Sequence, residues 1–247
     1  MKDETEVYRP AADLMALKAT IDANEYLVKH SEDVLKLAEP VVSMTLTDGM
    51  GQAQSSRLGG QPFVPREFEW PQHPVGIYKF LGQINFSEIE NRPEALPATG
   101  LLVLFFAYDD EGEVFWQDEG YVIANYFENY DDFDLAGKPG PSQKIEFNAG
   151  FALPQQQELL PDSLLGDGAR DNLVNCLDHP VNYLLNYPSF NSLCYDPTPD
   201  KNWMSLLNLT SVTALNWCWH DGDRLMIFIE KDRLKNQDFS QLRADAG

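Results

Sequence analysis

The residues that could do chemistry are few, and their spacing does not suit it. The four histidines are His30, His73, His179 and His220. None stands in an H-E-x-x-H pair or another metal-ligand spacing, so no imidazole-based metal site is expected. The three cysteines, Cys176, Cys194 and Cys218, include no C-x-x-C pair. An odd count without close pairs argues against a disulfide framework and a thiolate metal site, and buried free thiols are expected. Cys218 lies two residues before His220, a spacing that would put both on one face of a strand. No orienting third group accompanies them, and Trp217 and Trp219 flank the thiol, so Cys218 is read as core rather than nucleophile. There is no G-x-S-x-G elbow, no phosphate loop ending in G-K-[ST] and no G-x-G-x-x-G turn. Asp109, Asp110, Glu111 and Glu113 are dense enough for calcium but lack the D-x-[DN]-x-[DN]-G order, and are read as a solvated turn, like Asp131, Asp132 and Asp134. No catalytic residue, metal or cofactor is assigned.

Five residues remain as candidate ligand contacts: Arg57, Gln83, Asn208, Trp219 and Asp221. Arg57 sits in Ser55-Ser56-Arg57-Leu58-Gly59-Gly60-Gln61-Pro62. Its guanidinium could present five donors to an anion, or clamp loop carbonyls. The clamp is the preferred reading. Gln83 and Asn208 are amides in otherwise apolar strands, and a buried amide must be hydrogen-bonded. They are expected to satisfy loop backbone, with ligand binding as the alternative. Asp221-Gly222 between apolar stretches signals a hairpin turn, under which Trp219 would pack; the alternative is that Trp219 and Asp221 line a pocket.

Charge narrows the partners. The 247-residue chain carries 18 Lys and Arg against 39 Asp and Glu, a formal net charge of −21. Such a surface repels phosphate backbones and anionic lipid, so neither nucleic acid nor membrane is expected. It attracts basic proteins. No stretch approaches the ~18 apolar residues of a membrane span, and the N-terminal MKDETEVYRP has no apolar signal region, so the cytosol is the expected compartment.

The elements that must position these residues are read from periodicity. Leu14, Leu17 and Ile21 mark helix over 8–39, with a break near Asn24, Ser31 as N-cap of a second segment and Pro40 as its stop. Strands are expected at 41–47, 78–86, 101–108, 114–117, 121–127, 143–148, 203–209, 213–219 and 224–230, and short helices at 171–177 and 231–236. The Gly- and Pro-punctuated segment 48–75 cannot be regular, yet Phe63, Phe68 and Trp70 should glue it to the core as an ordered loop.

Gln83 and Asn208 lie 125 positions apart in similar strands, each followed by a buried apolar run. This suggests half-repeats over 41–150 and 151–240 within one unit spanning 1–247. The expected fold class is α+β, with mainly antiparallel sheets from two related halves packed into one body and with N-terminal helices.

Several pieces, taken in order, resemble the YwqG-like family of bacterial proteins, a domain of unknown function. They are Ser56-Arg57-Leu58-Gly59-Gly60-Gln61-Pro62, Trp70-Pro71, Leu81-Gly82-Gln83-Ile84-Asn85, Leu96-Pro97 with Gly100-Leu101-Leu102, Leu206-Leu207-Asn208-Leu209, Trp219-His220-Asp221-Gly222-Asp223 and Asp238-Phe239-Ser240. His220 and Asp223 replace glycines of the family's late motif, and Asn208 replaces its usual glutamine, as in a divergent member. The resemblance implies an α+β fold and bacterial origin, and no agreed activity. The expected function is a non-enzymatic interaction module, of immunity type, for a basic protein partner. The alternative is a small-molecule binding protein or hydrolase with a cleft between the halves, lined by the five candidates.

Overall fold

The structure, a computed structural model, describes residues 8–161, 169–190 and 192–247. Two helices open the described chain. In α1 (Leu14–Ala23), Asp13 caps the first turn by accepting from the Ala16 amide at 2.8 Å, and Leu17 and Ile21, four apart, are buried. The break near Asn24 is present, and α2 (Ser31–Leu35) follows. Ser31 is the first residue of α2 rather than its cap, and its hydroxyl accepts from Lys18 at 3.0 Å.

Strand then dominates: β1 (Glu39–Asp48), β2 (Arg57–Gly59), β3 (Phe63–Pro65), β4 (Ile77–Asn85), β5 (Leu101–Tyr108), β6 (Val122–Phe127), β7 (Phe133–Leu135) and β8 (Ser142–Ala152). After α3 (Ala169–Cys176) come β9 (Tyr183–Leu185), β10 (Trp203–Thr210), β11 (Arg224–Glu230), α4 (Lys231–Lys235) and β12 (Arg243–Ala246). Ten strands form one sheet in the order β12-β11-β10-β9-β1-β8-β2-β4-β5-β6, and β3 pairs with β7.

The expected α+β class is therefore overturned. Every described strand pair is antiparallel, the two expected sheets are one continuous sheet plus a ribbon, and the four α-helices among the described residues are only 10, 5, 8 and 5 residues long. Sheet content was underestimated because β2, β3, β7 and β9, at three residues each, are too short to show alternation. For the same reason segment 48–75, expected to hold no regular structure, carries two strands. Two expected strands are absent. Residues 114–117 run into a turn, where the Asp118 amide donates to Phe115. Residues 213–219 form a 3-10 turn, Thr213–Leu215, and then irregular chain.

The centre of the sheet is the β1–β8 pair, in register from Glu39↔Ala152 to Asp48↔Gln143. Here the chain exchanges strands. β1 is the neighbour of β9 (Val41↔Leu185), and β8 is the neighbour of β2 (Arg57↔Lys144). The order outward from the centre is β2, β4, β5, β6 on one flank and β9, β10, β11, β12 on the other. Both flanks carry an irregularity in the same place, between Phe80 and Gly82 in β4 and between Ser205 and Leu207 in β10. The extra residues, Leu81 and Leu206, are buried, and each stands two positions before an amide, Gln83 or Asn208.

The main core lies against this sheet. Phe105 of β5 is stacked on Phe68 at 5.8 Å and met edge-on by Trp70 at 5.2 Å, which fastens the loop before β4. A buried Phe contributes about 1.5–3 kcal/mol by area. The sheet's ends are also tied: Tyr126 of β6 donates to Gln237 at 3.1 Å, and Gln117 donates to Asp245 of β12 at 3.0 Å. A second apolar cluster joins α1, α2 and α3 through Leu17, Ile21, Leu27, Val34 and Leu173.

Candidate functional site

Arg57 and Gln83 are register partners across β2 and β4, and both are fully buried. The Arg57 guanidinium donates from Nε to the Gln61 carbonyl at 3.1 Å, and from Nη1 to those of Ala53 at 2.8 Å and Ser55 at 3.0 Å. Gln83 donates to the same Ala53 and Ser55 carbonyls, each at 3.0 Å, and accepts from the Phe63 amide at 2.9 Å. Desolvation pulls the Arg57 pKa down to about 10, partly offset by the Glu88 charge, so the group stays cationic at neutral pH. Glu88 itself accepts from the Ser56 amide at 2.8 Å. The Gln61 carbonyl reaches back to Arg57 through Gly59 and Gly60, whose φ values of +66° and +75° reverse the chain after β2. A β-carbon on Gly59 would come within 2.7 Å of the Pro141 carbonyl.

Asn208 lies on the other flank, paired with Tyr183 of β9. It accepts from the Ser189 amide at 3.1 Å and donates to the Ser205 hydroxyl at 2.6 Å. Trp219 is buried beside Phe106, at 5.1 Å, and Trp217, at 5.8 Å, while its indole N–H has no partner. Asp221, two residues on, has a side chain 98% exposed and sits 3.7 Å from His220. The structure thus brings Arg57 and Gln83 together, places Asn208 across the sheet, and separates Trp219 from Asp221 by burial. None of the five lines either of the cavities described below.

The expectation of buried thiols fails for Cys194 and Cys218, which are exposed. Cys218 is not on a strand: the turn at Asp221-Gly222 closes on the Trp219 carbonyl without a ladder behind it. The side chain of Cys176 lies outside the described residues. Asp109 accepts from the amides of Glu111, Glu113 and Val114 at 2.8–2.9 Å, led by Glu113, which lowers its pKa and makes it the organiser of its own turn. Among the described residues no cluster of three or more His, Cys, Asp or Glu could hold a metal ion, and no helix is long and apolar enough to cross a membrane.

Two cavities went unseen in the sequence. One, about 420 Å³, is lined by Trp70, Pro71, His73, Gly76, Ile77 and Tyr78. Its walls are fixed from within: the Trp70 indole donates to the Tyr78 carbonyl at 2.9 Å, His73 Nδ1 accepts from Gly76 at 3.1 Å, and the Tyr78 hydroxyl donates to Gly120 at 2.6 Å. The signal available beforehand was Trp70-Pro71 with Pro74, an aromatic held by prolines. The other, about 210 Å³, lies under α1 and is lined by Tyr8, Arg9, Phe151, Asp178 and His179 among others. Neither His179 ring nitrogen has a hydrogen-bond partner, and burial pushes the imidazole below its ordinary pKa, against the pull of the nearby Leu173 and Val174 carbonyls.

Comparison with known proteins adds a family and no activity. No curated protein matches the chain. A family model, described as a domain of unknown function (DUF1963), matches residues 56–245, from the serine before the buried arginine to the aspartate of β12. Since that span covers both flanks of the sheet, the chain belongs to the DUF1963 family.

Proposed function

We propose that this protein works by binding a basic protein partner and not by catalysis, and that within its family it is a divergent YwqG-like member acting in the cytosol. The observation that carries this reading is the formal charge of −21. Carboxylates gather on exposed turns at 109–119 and 128–134, on either side of β6. Charge of one sign steers an oppositely charged protein and selects against others, over a range of about 8 Å at physiological salt. An immunity-type role, in which the partner is a basic toxin or effector, fits the same charge. The second reading, a small-molecule site or hydrolase in a cleft lined by Arg57, Gln83, Asn208, Trp219 and Asp221, gains no support from where those side chains lie.

We also infer related halves over 41–150 and 151–240. Support comes from the matched strand order, the matched irregularities and the matched amides, with β1 and β8 exchanged between flanks.

The test is affinity capture with the full chain from its source cells at low and moderate salt. A basic partner recovered in constant ratio at low salt and released at moderate salt is the expected outcome. Capture of no basic protein at either salt overturns the reading.

A further inference from the structure

The cavity beside Trp70 opens onto an apolar face. Trp70 is 38% exposed, Val75 57% and Ile77 59%, and Tyr108, the register partner of Ile77, adjoins them. Val75 and Ile77 lie mostly in water, while Trp70, packed on Phe105, and Tyr108, covered on one face by Lys79, keep part of their rings exposed beside them. Contiguous exposure of this kind marks interaction surfaces, and Trp and Tyr dominate their binding energy. The hydrogen bonds that fix Trp70, His73 and Tyr78 hold the walls in place, so little rotamer freedom would be lost on docking.

The chemistry of an occupant follows from what surrounds and already touches this face. Residues 66–79 and 108–113 carry six carboxylates, Glu67, Glu69, Asp109, Asp110, Glu111 and Glu113, against two cations, Arg66 and Lys79. Both cations are engaged: Arg66 pairs with Asp132 at 3.2 Å, and Lys79 places its ammonium 3.0 Å from the centre of the Tyr108 ring. That second contact is an intramolecular case of an alkylammonium drawn to the ring face of Tyr108 by its quadrupole. Aromatic-lined grooves also receive proline-rich segments, but the Trp70 indole N–H, the donor such a ligand would use, is consumed by Tyr78.

We propose that the face formed by Trp70, Val75, Ile77 and Tyr108, with its cavity and carboxylate rim, is a docking site for a lysine- or arginine-rich segment of a partner protein. The site rests on the reading of a basic partner given above and adds where that partner touches. Cationic heads lie among the rim carboxylates, while their alkyl stems cover Ile77 and Val75.

The experiment titrates the full chain with a ten-residue oligolysine or oligoarginine peptide, following tryptophan fluorescence and calorimetry, in the parent and two variants. Ile77→Lys puts a second cation on the face, beside Lys79, in place of an apolar contact. Glu25→Lys alters an exposed residue on the N-terminal segment and changes net charge by more. Both should keep the parent's thermal melt. Ile77→Lys is expected to weaken peptide binding ~10-fold or more, which corresponds to ~1.4 kcal/mol, with Glu25→Lys under ~2-fold. Equal weakening by the two variants means binding to diffuse charge, which removes the site and leaves the basic-partner reading standing. No binding of either peptide to the parent removes the site; a basic partner still captured from cells would then preserve the broader reading alone. An uncharged proline-rich peptide binding as tightly overturns the assigned chemistry. So does a dimer of the free chain, seen by sedimentation, that Ile77→Lys dissociates, since the face would then belong to a second copy.

Discussion

The two flanks of the sheet solve one problem with different chemistry. On the first, Arg57 is paired with Gln83 and reaches the carbonyl of Gln61, four residues on. On the second, Tyr183 is paired with Asn208, and its hydroxyl donates to the carbonyl of Tyr187, also four residues on, at 2.8 Å. Gly59 and Gly60 take left-handed φ values of +66° and +75°; Leu185 and Asn186 take +62° and +68° at the matching places. Pro62 and Pro188 follow, and then the amides of Phe63 and Ser189 donate to Gln83 and Asn208. A neutral phenol therefore does on one side what a buried cation does on the other. Arg57 needs no anion to explain it: its carbonyl shell is a structural job that a tyrosine can also fill. The second corner instead carries backbone strain, because a leucine in the left-handed region costs about 1–2 kcal/mol that glycine avoids.

Measurements of stability can break or sharpen this equivalence. Arg57→Met should cost the most, about 3–5 kcal/mol in denaturant unfolding, since it strands the Gln61 carbonyl, leaves those of Ala53 and Ser55 to Gln83 alone and takes the cation away from Glu88. Tyr183→Phe, which strands one carbonyl and one amide contact, should cost about 1–3 kcal/mol. If the two lose the same amount, charge adds nothing and the corners are alike in energy as well as shape. Gly59→Ala should lose about 1–3 kcal/mol through its clash with Pro141 and Leu215. Leu185→Gly should lose less than the roughly 2–5 kcal/mol of an ordinary buried leucine truncation, because relief of strain offsets part of it. A full-size loss would mean the left-handed leucine is not strained.

The smallest effect concerns pH. His179 is held below its ordinary pKa, so the unfolded chain takes up the proton first. Stability from this group is therefore complete above the unfolded imidazole value of about 6.5 and falls as pH drops below it. His179→Gln should flatten the thermal-melt profile between about pH 7 and 5. An unchanged slope would show that His179 titrates alike folded and unfolded.

Long, strongly patterned strands were legible from residues alone. β4, β5, β10 and β11 stand close to the alternating or apolar runs that mark them. The short strands were not, because a three-residue strand such as Tyr183–Leu185 is defined by its neighbours, β1 on one side and β10 on the other, and not by a pattern of its own. Alternation misled at 213–219, where Leu215, Trp217 and Trp219 suggest a strand although Asn216 takes a left-handed φ of +55°. Among the candidate residues, the clamp reading of Arg57 could be framed because glycines and a proline announce a folded-back loop. The face at Trp70 could not, since nothing in a sequence says which aromatic residues stay in water.

The exchange of β1 and β8 sets the schedule on which this chain can fold as it is made. β1 emerges early, yet its neighbours on both sides, Phe151 or Gly150 on β8 and Leu185 on β9, are synthesised long after it. Until then β1 offers two open edges, each a template for the wrong strand. The nascent chain can complete the hairpin of β4 and β5 first, as a local contact, while the middle of the sheet must wait for most of the polypeptide. Any holdase that shelters this protein during translation should therefore be needed most over residues 39–48.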